Sequence, residues 1–313
     1  MTEFKNRIFG CAVVKAINSN YNADFSGQPR TLPSGIVYAT DKAFKYMIKR
    51  YLKDVYPEER ILNFKRLKSE FKPYDLAETY EYLFNTKVSE DKLDVIAKNL
   101  LSCIDIRFFG TTFAPKGTSI KNKNVSIHGP VQINHGVNIW RENNIFTEQI
   151  LSPFRNPGEE DSEDKQATTL GRQSKLEEGH YLHHFSINPY NLEDIVDIAA
   201  EGRQTLSDED IDKLKEGMKR GVTWYDSASK AGCENEMLVW VQLREGSKIV
   251  LPNFICLIDL LQEKEDGKCV YDFSKLKEKL HEFPDDIETI EVYYNKQTTT
   301  LQNLPENAIQ MDI

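Results

Sequence analysis

The chain has 313 residues, 40% of them hydrophobic and 28% charged, a composition typical of a folded protein with one elaborated domain or two ordinary ones. Its five cysteines contain no CxxC pair, which excludes a zinc ribbon and favours buried thiols over a disulfide framework. The net charge of −9 is uneven: residues 1–150 hold 22 Lys and Arg against 16 Asp and Glu, and the remainder holds 18 against 33. The first half can therefore form a basic face on an otherwise acidic protein.

Two apolar stretches bear on targeting. The run near the N-terminus is interrupted by Lys15 and has no small-residue cleavage site after it. The most apolar later stretch, residues 249–261, is too short to span a bilayer. We therefore expect a cytoplasmic protein without a membrane partner.

The N-terminal part predicts a strand, a long loop and a basic helix. Apolar and β-branched residues dominate 7–17, and the following residues 18–34 are rich in Asn, Gly and Pro, which is typical of a surface loop. Residues 40–56 have helical periodicity with Thr40 as N-cap. On a separate face of this helix, basic residues recur at three- and four-residue spacing: Lys42, Lys45, Lys49, Lys53, with Arg50 at the edge.

The rest of the chain mixes helices and strands. We expect a helical insertion at 57–100, an irregular arm at 136–179 with an acidic tip at 159–164, and helices at 192–200, 207–219 and 273–281. Strands are expected at 102–113, 125–134 (interrupted at Gly129-Pro130), 181–187, 237–244, 249–251 and 287–294. Without the insertions, the order is that of the ferredoxin-like split βαβ arrangement of RNA-recognition domains, an α+β fold.

The histidines His180, His183 and His184 form a pattern that could indicate a metal site. In a strand, His180 and His184 lie on one face and His183 on the other, so the three cannot readily converge on one ion. No Cys or acid accompanies them at a fixed spacing. A polar sheet surface is the interpretation that we favour, and we expect no metal or cofactor.

Asp24 lies in the long loop and could act as an acid or a metal-assisting carboxylate in RNA cleavage. A turn-forming role is the alternative, because the loop is rich in turn-forming residues. No second carboxylate or His accompanies Asp24 at motif spacing. The chain also lacks the GxxxxGK[ST], GxGxxG, GxSxG and HExxH motifs of common enzymes, so the sequence favours a protein that is not an enzyme.

The basic helix is either a solvated face or a phosphate-binding surface. It closely follows the Asn- and Gly-containing loop, so that backbone donors, Arg30 and the lysines could line one groove. The predicted strands could add donors from Arg107, Gln132, Asn134 and His135. This combination is typical of a channel that follows a nucleic-acid backbone.

Several motifs occur in an order typical of one family. The Asn18-Ser19-Asn20 loop closes on Gln28-Pro29-Arg30, and L-P-S-G at 32–35 precedes the basic helix. D-I-R-F-F-G at 105–110, I-H-G-P-V-Q at 127–132 and T-L-G-R at 169–172 follow. Over roughly residues 6–245, the sequence resembles the RNA-binding backbone subunit of type I CRISPR Cascade, the "Cas seven" family of the RAMP superfamily, and most closely its subtype I-B branch.

The resemblance implies a right-hand shape. The ferredoxin-like, RRM-like palm is formed by residues 1–56, 101–136 and 173–313, with a helical finger insertion at 57–100 and a β-hairpin thumb at 137–172. In that family, copies stack into a helical filament along the guide RNA, together with a large subunit and a guide-end-capping subunit, for antiviral defence. The thumb displaces guide bases at intervals, and the intervening segments pair with target DNA, which leaves sequence discrimination to base pairing.

The resemblance also implies site residues. Lys45 and Lys49 would hold phosphates, supported by Thr40, Lys42 and Arg50. The other RNA contacts that it implies come from the loop, the strands and the thumb base: Asn20, Arg30, Arg107, Gln132, Arg172 and Lys175. An apolar thumb tip would unstack bases, and we expect it at Ile150, Leu151 and Phe154.

The Asn-rich loop departs from the family's usual NPNGDP-like form, with Ser19 where Pro is common and Tyr21 where Gly is common. In target-RNA-cleaving type III relatives an Asp of this loop is catalytic, and Asp24 falls in the same region. The leading hypothesis is a non-catalytic guide-RNA-binding subunit. A metal-dependent ribonuclease using Asp24 is the alternative, and a regulatory RNA-binding monomer or dimer is a third hypothesis.

Overall fold

The computed structural model describes residues 2–117, 122–151, 170–199 and 206–313. In these ranges the helices are α1 (Asp41–Val55), α2 (Leu76–Phe84), α3 (Leu93–Leu101), α4 (Ile104–Phe109), α5 (Glu193–Ala199), α6 (Asp208–Trp224) and α7 (Ser274–His281). The strands are β1 (Ile8–Ser19), β2 (Tyr38–Ala39), β3 (Gly110–Phe113), β4 (Val125–His128), β5 (Val131–Ile133), β6 (Gly136–Asn138), β7 (Ile145–Leu151), β8 (Leu170–Ile187), β9 (Cys233–Leu243), β10 (Asp259–Leu260), β11 (Cys269–Asp272), β12 (Ile287–Tyr294), β13 (Thr299–Gln302) and β14 (Ala308–Asp312). None of these helices has the length and hydropathy of a membrane span.

Most strands join one large mixed sheet in the order β14-β12-β9-β1-β8-β6-β2. The central strand β1 pairs antiparallel with both β8 and β9. β5 also pairs antiparallel with β8. The strands β9, β1, β8 and β5 therefore lie side by side in alternating directions, and the fold is of the expected α+β class.

β8 is 18 residues long and extends beyond the end of the sheet. Residues 176–187 pair with β1, and residues 170–176 pair with β7 in a two-stranded hairpin. The sequence predicted an irregular arm over 136–179, and that prediction was wrong for β6, β7 and the first half of β8. β7 is exposed or half-exposed along its length, so its sequence lacks the apolar alternation that marks a half-buried strand.

The large sheet has an apolar core on each face. Alternate residues of β1 point to opposite sides: Ala12, Val14 and Ala16 toward α1 and α6, and Cys11 and Val13 toward the C-terminal part of the chain. That C-terminal part includes α7 and a second sheet in the order β10-β11-β13. The alternation confirms the buried strand that the sequence predicted here.

α1 confirms the predicted helix in its start and its buried face. The Thr40 hydroxyl accepts a hydrogen bond from the Ala43 backbone N–H, as an N-cap does. The buried face consists of Phe44, Met47, Ile48, Tyr51 and Leu52. Gly221 lets α6 pack closely against α1, because a Cβ at this position would lie only 2.9 Å from the Met47 carbonyl oxygen. This close packing fixes α1 and the residues on its outer face.

A third apolar cluster lies among α2, α3, β3, β4 and α5. It gives the predicted helical insertion a core of its own, with Tyr80, Ile96 and Leu100 fully buried. α2 begins with a capping box between Asp75 and Glu78. The insertion is thus a packed unit and not an extended loop.

The strand predicted at 102–113 is wrong for its first part, which forms α4 before β3 begins at Gly110. The apolar and aromatic composition favoured a strand. The buried residues of this segment instead recur at the three- and four-residue spacing of a helix, and they pack into two different apolar cores. Ile104 and Phe108, four residues apart, enter the core under α1, whereas Cys103 and Ile106, three apart, enter the third cluster. A helix can serve two cores in this way.

Two other strand predictions have different outcomes. The predicted strand at 125–134 is interrupted at Gly129-Pro130 as expected, and its halves, β4 and β5, join different sheets. The strand predicted at 249–251 is wrong: Leu251 is buried, but the segment is not part of a described sheet. Pro252 follows directly and has no backbone N–H to donate to a neighbouring strand.

Candidate nucleic-acid interface

The first half of α1 presents basic groups near the end of the long loop. Lys42 is exposed. The Lys45 ammonium lies 3.1 Å from an Asp41 carboxylate oxygen, one helical turn away, and 5.3 Å from the centre of the Phe109 ring. The Lys45 side chain is 17% exposed and its partner belongs to the same helix, so its ammonium can exchange Asp41 for another anion without breaking an ion pair between elements.

Lys49 lies in the second half of α1 and has a different environment. Its ammonium donates to the Asn63 carbonyl oxygen at 2.7 Å. Burial lowers the pKa of Lys49. The neighbouring Asp105 is 1% exposed and accepts hydrogen bonds from the backbone N–H groups of Leu62 and Asn63, and burial raises its pKa. Lys49 and Asp105 therefore join α1 and α4 to the start of the helical insertion.

Two of the four arginines of the predicted site, Arg50 and Arg107, are bound to carboxylates. Arg50 Nε donates to Asp54 at 2.7 Å in the last turn of α1. The Arg107 guanidinium forms two hydrogen bonds to Asp210, of 2.6 and 3.1 Å, and lies 3.6 Å from Glu59. Only 14% of the Arg107 side chain is exposed. Arg107 thus joins α4 to the start of α6, and the structure does not place its guanidinium beside Lys45.

The long loop is bonded to both the hairpin and α1. Asn20 is buried and its amide donates to the carbonyl oxygens of Gly27 and of Ser174 in β8. The Asn22 side-chain oxygen accepts from both the backbone N–H and the hydroxyl of Thr40. These bonds bring the loop, the helix start and the base of the hairpin into one unit. Sequence reasoning did not single out Asn22, although an Asn side chain that bonds nearby backbone is common in turns.

The tip of the loop is a turn around Asp24. One oxygen of its carboxylate accepts hydrogen bonds from the backbone N–H groups of Ser26 and Gln28 and from the Ser26 hydroxyl. The bond from the Ser26 hydroxyl is the main cause that lowers the pKa of Asp24. Arg30 Nε donates to the Ala23 carbonyl oxygen at 3.1 Å and supports the same turn. Phe25 projects from the turn fully exposed, an aromatic residue that the sequence analysis did not identify. This geometry supports the turn-forming interpretation of Asp24.

The motifs D-I-R-F-F-G at 105–110 and I-H-G-P-V-Q at 127–132 meet at Phe109, whose ring Lys45 contacts. Gly110 ends D-I-R-F-F-G with φ of +70°, and Gly129 of G-P-V-Q lies against it: a Cβ at Gly129 would be 2.3 Å from the Gly110 nitrogen. Either position would therefore clash with a larger residue. Gln132 is exposed, and its amide donates to the Gly129 carbonyl oxygen at 2.7 Å.

The hairpin carries the remaining predicted residues. Arg172 is exposed, and the Lys175 ammonium lies 3.4 Å from a Glu148 carboxylate oxygen on the paired strand. Ile150 and Leu151, at the far end of β7, are 47% and 67% exposed. Phe154 lies outside the described residues. The described part of the hairpin therefore ends in an exposed apolar pair.

The three histidines are divided between the two sheet faces as predicted, but a polar sheet surface was the wrong environment for them. His180 and His183 are fully buried. The His183 ring stacks on Phe44. Its Nε2 atom forms a hydrogen bond of 3.2 Å with the Tyr21 hydroxyl, and its Nδ1 atom lies 3.0 Å from the Asn134 carbonyl oxygen. Burial lowers the pKa of His183 to about 4. Long-range packing, which local spacing does not reveal, buries these side chains.

One group of possible metal ligands occurs among the described residues: Glu178, His180 and Cys269. It lies on the face of the sheet opposite to α1, and Asp24 is not part of it. The loop, the first half of α1 and the base of the hairpin are thus joined in one candidate surface. Lys49, Arg50 and Arg107 are bonded within the chain, to Asn63, Asp54 and Asp210 respectively.

Comparisons with known proteins agree with this architecture. A family model described as CRISPR-associated protein Cas7 matches residues 6–280. A chain from a solved structure titled "CRISPR RNA-guided surveillance complex, pre-nicking" is similar with a TM-score of 0.56 at 12% identity, over 98% of this chain and 96% of that one. A chain from a "CRISPR RNA-guided surveillance complex" has a TM-score of 0.51 at 13% identity, with 97% and 95% covered. No match was found among curated proteins.

Proposed function

The chain belongs to the CRISPR-associated protein Cas7 family, and from this premise we propose that it is a non-catalytic backbone subunit that binds CRISPR guide RNA. Further copies polymerise along the guide in a type I Cascade complex, of subtype I-B by its motifs. The other Cascade subunits cap the guide and complete the particle, and target DNA pairs with the exposed guide segments.

The observation that carries the proposal is the joint of the loop, α1 and the hairpin. Asn20 and Asn22 fix the loop against Ser174 and Thr40, and Lys42 and Lys45 project beside that joint. The start of a helix also carries partial positive charge. Positively charged groups on a rigid support are what sequence-independent binding of a phosphate backbone requires.

The contacts divide the predicted RNA-binding residues by role. Lys42, Lys45, Arg30, Gln132, Arg172 and Lys175 are the groups that we propose to meet the RNA. Asn20 and Thr40 position the loop, Lys49 joins α1 to the insertion, and Arg107 joins α4 to α6. Arg50 supports the last turn of α1 through Asp54. Ile150 and Leu151, together with Phe154, form the proposed base-displacing wedge.

The strand order supports the hand-like division of the chain. We propose that β9, β1, β8 and β5, with α1 and α6, form the ferredoxin-like palm of residues 1–56, 101–136 and 173–313. The helical finger is residues 57–100, and the thumb is residues 137–172. The separate apolar cluster of the insertion supports the finger, and the hairpin of β7 and β8 supports the thumb.

Co-expression with a CRISPR transcript, with the other Cascade subunits present, tests the proposal. Size exclusion with light scattering and the absorbance ratio measure the mass and the nucleic-acid content of the particle. We expect a particle with several copies of the chain and RNA of one defined length. A monomer or dimer that retains no guide RNA in the presence of those subunits contradicts the proposal.

The ribonuclease alternative is separated by the same particle. Complementary RNA is added with Mg²⁺ to particles with native Asp24 and with Asp24→Asn. We expect no cleavage by either, because the Asp24 carboxylate is engaged in its own turn. Periodic cuts that disappear in the Asp24→Asn particle establish the enzyme instead.

A further inference from the structure

Three side chains of metal-ligating type meet on the face of the large sheet away from the RNA interface. His180 Nε2 lies 3.2 Å from Glu178 Oε1 and 3.8 Å from Cys269 Sγ. The three ligand atoms all lie within 4.8 Å of one another. Glu178 and His180 belong to β8, and Cys269 begins β11 of the second sheet, so the group joins two elements that are distant in sequence.

The separations suit a tetrahedral ion. Zinc binds sulfur at about 2.3 Å and nitrogen or oxygen at about 2.0–2.2 Å, which places neighbouring tetrahedral ligand atoms roughly 3.3–3.6 Å apart. The two separations at His180 lie on either side of that range. Small side-chain movements would therefore complete the geometry, and a combination of thiolate, imidazole and carboxylate ligands favours zinc over the hard cations Mg²⁺ and Ca²⁺.

The other nitrogen of His180 has the partner that metal-binding histidines usually have. His180 Nδ1 lies 2.6 Å from Glu236 Oε2, and the same oxygen accepts a hydrogen bond of 2.8 Å from the Tyr271 hydroxyl. Glu236 is 1% exposed and Tyr271 is fully buried. A carboxylate on one nitrogen fixes the orientation of the ring and directs the other nitrogen toward the ion.

Lys264 is the competitor for this position. Its ammonium lies 2.7 Å from Glu178 Oε1, and without a metal it balances the charge of that carboxylate. The Lys264 side chain is 35% exposed and that of Glu178 18%, whereas Cys269 is buried. Lys264 can therefore move into solvent and leave an entry on the Glu178 side, where water supplies the fourth ligand.

We propose that Glu178, His180 and Cys269 bind one thiophilic divalent cation, with Zn²⁺ as the best fit. His180 Nε2 faces the Glu178 carboxylate and therefore carries a proton when no metal is bound. On binding, the Cys269 thiol and His180 Nε2 each release one proton to solvent, and the ring keeps its Nδ1 proton toward Glu236. No electron is transferred. The ion would pin β8, the strand that continues into the hairpin, to the second sheet, independently of whether RNA is bound.

A cobalt titration of the purified full chain, after removal of metals with a chelator, tests the site. We expect one Co²⁺ per chain with a thiolate-to-cobalt charge-transfer band, which Zn²⁺ then removes by displacement. Cys269→Ser should abolish the band and weaken Zn²⁺ binding at least tenfold. Cys256→Ser is the matched control, because Cys256 is an exposed free cysteine outside the ligand group, and it should change neither result.

Two further variants separate ligation from packing. Glu236→Gln should weaken Zn²⁺ binding by about 10–100-fold while the band remains, as for the loss of a partner behind a ligating histidine. Glu178→Gln, at the partly exposed ligand, should also keep the band and bind more weakly. Absence of the band in the native chain, or its persistence in Cys269→Ser, overturns the proposal and leaves the group as a buried hydrogen-bond network.

Discussion

The two halves of α1 carry the same basic spacing and use it differently. Lys42 is exposed and Lys45 pairs with Asp41 one turn away, whereas the Lys49 ammonium donates to the Asn63 carbonyl. Arg50 also pairs one turn away, but its partner Asp54 accepts a second hydrogen bond from Trp224 of α6. Spacing along a helix determines which side chains share a face. Whether a charge on that face is available to a ligand depends on what the rest of the chain places opposite it.

Arg107 of α4, like Lys49, has its charge engaged within the chain, by Asp210 of α6. Removing Arg107 leaves Asp210 and Glu59 without their guanidinium in a mostly buried position. We expect Arg107→Ala to lower the free energy of unfolding by about 3–5 kcal/mol, as for other broken buried pairs. Urea denaturation measures this change.

Arg220→Ala is the control for Arg107. Arg220 is 56% exposed and pairs with Glu216 one turn away, so its loss should cost less than about 1 kcal/mol. Equal stability of the two variants, with a loss of RNA binding only in Arg107→Ala, would show that Arg107 serves the RNA and not the fold.

The first half of α1 has its own internal support in His183, which stacks on Phe44, and this support depends on pH. Burial lowers the pKa of His183 to about 4 from the ordinary value of 6.5, so the unfolded chain binds the proton more readily. The stability from neutral His183 is complete above pH 6.5 and is lost as the pH falls toward 4. The difference corresponds to about 3 kcal/mol.

Denaturation of the native chain and of His183→Gln at pH 7 and pH 4.5 measures this contribution. The variant is expected to be less stable at pH 7 and to lose less on acidification, because its side chain does not titrate. His281→Gln, at an exposed histidine, should keep the native pH dependence. If His183→Gln lost as much unfolding free energy between pH 7 and pH 4.5 as the native chain, the acid sensitivity would belong to other groups.

Much of the fold was predictable where burial and period coincide locally. β1, α1, α6, α7, β9 and β12 are near their predicted positions, because each has an apolar face of the right period or a capping residue. α4 was not predictable in this way, since its apolar residues serve two cores at once. β7 was missed because its stability comes from backbone pairing with β8 and not from burial.

The site was predictable in its elements and not in its contacts. The residue patterns identified the loop and the basic helix, and only the family resemblance implied the hairpin; the structure describes all three at least in part. The sequence could not show that Asp210 engages Arg107 across 103 positions, or that Cys269 lies beside His180. Such pairs depend on tertiary packing, for which the local sequence carries no signal.

The comparison within α1 is sharpened most directly by RNA binding. Lys42→Ala combined with Lys45→Ala should weaken guide-RNA binding roughly tenfold at physiological salt, and should reduce the slope of log K against log salt by about 1.4, since each lost phosphate contact on a single strand accounts for about 0.7. Fluorescence anisotropy with a labelled guide at several salt concentrations measures both quantities. A salt slope equal to that of the native chain would remove these lysines from the interface.

Lys49→Ala combined with Arg50→Ala is the matched pair, because it removes the same charge from the same helix. Lys49 bonds Asn63 of the insertion, and Asp54, the partner of Arg50, also bonds Trp224 of α6, so we expect this variant to lose stability and to keep the native salt slope. A slope reduced as much as by the first pair would mean that both halves of α1 contact phosphates. In that case Lys49 and Arg50 must leave Asn63 and Asp54 when RNA binds, and the two halves of α1 have different contacts only in the protein without RNA.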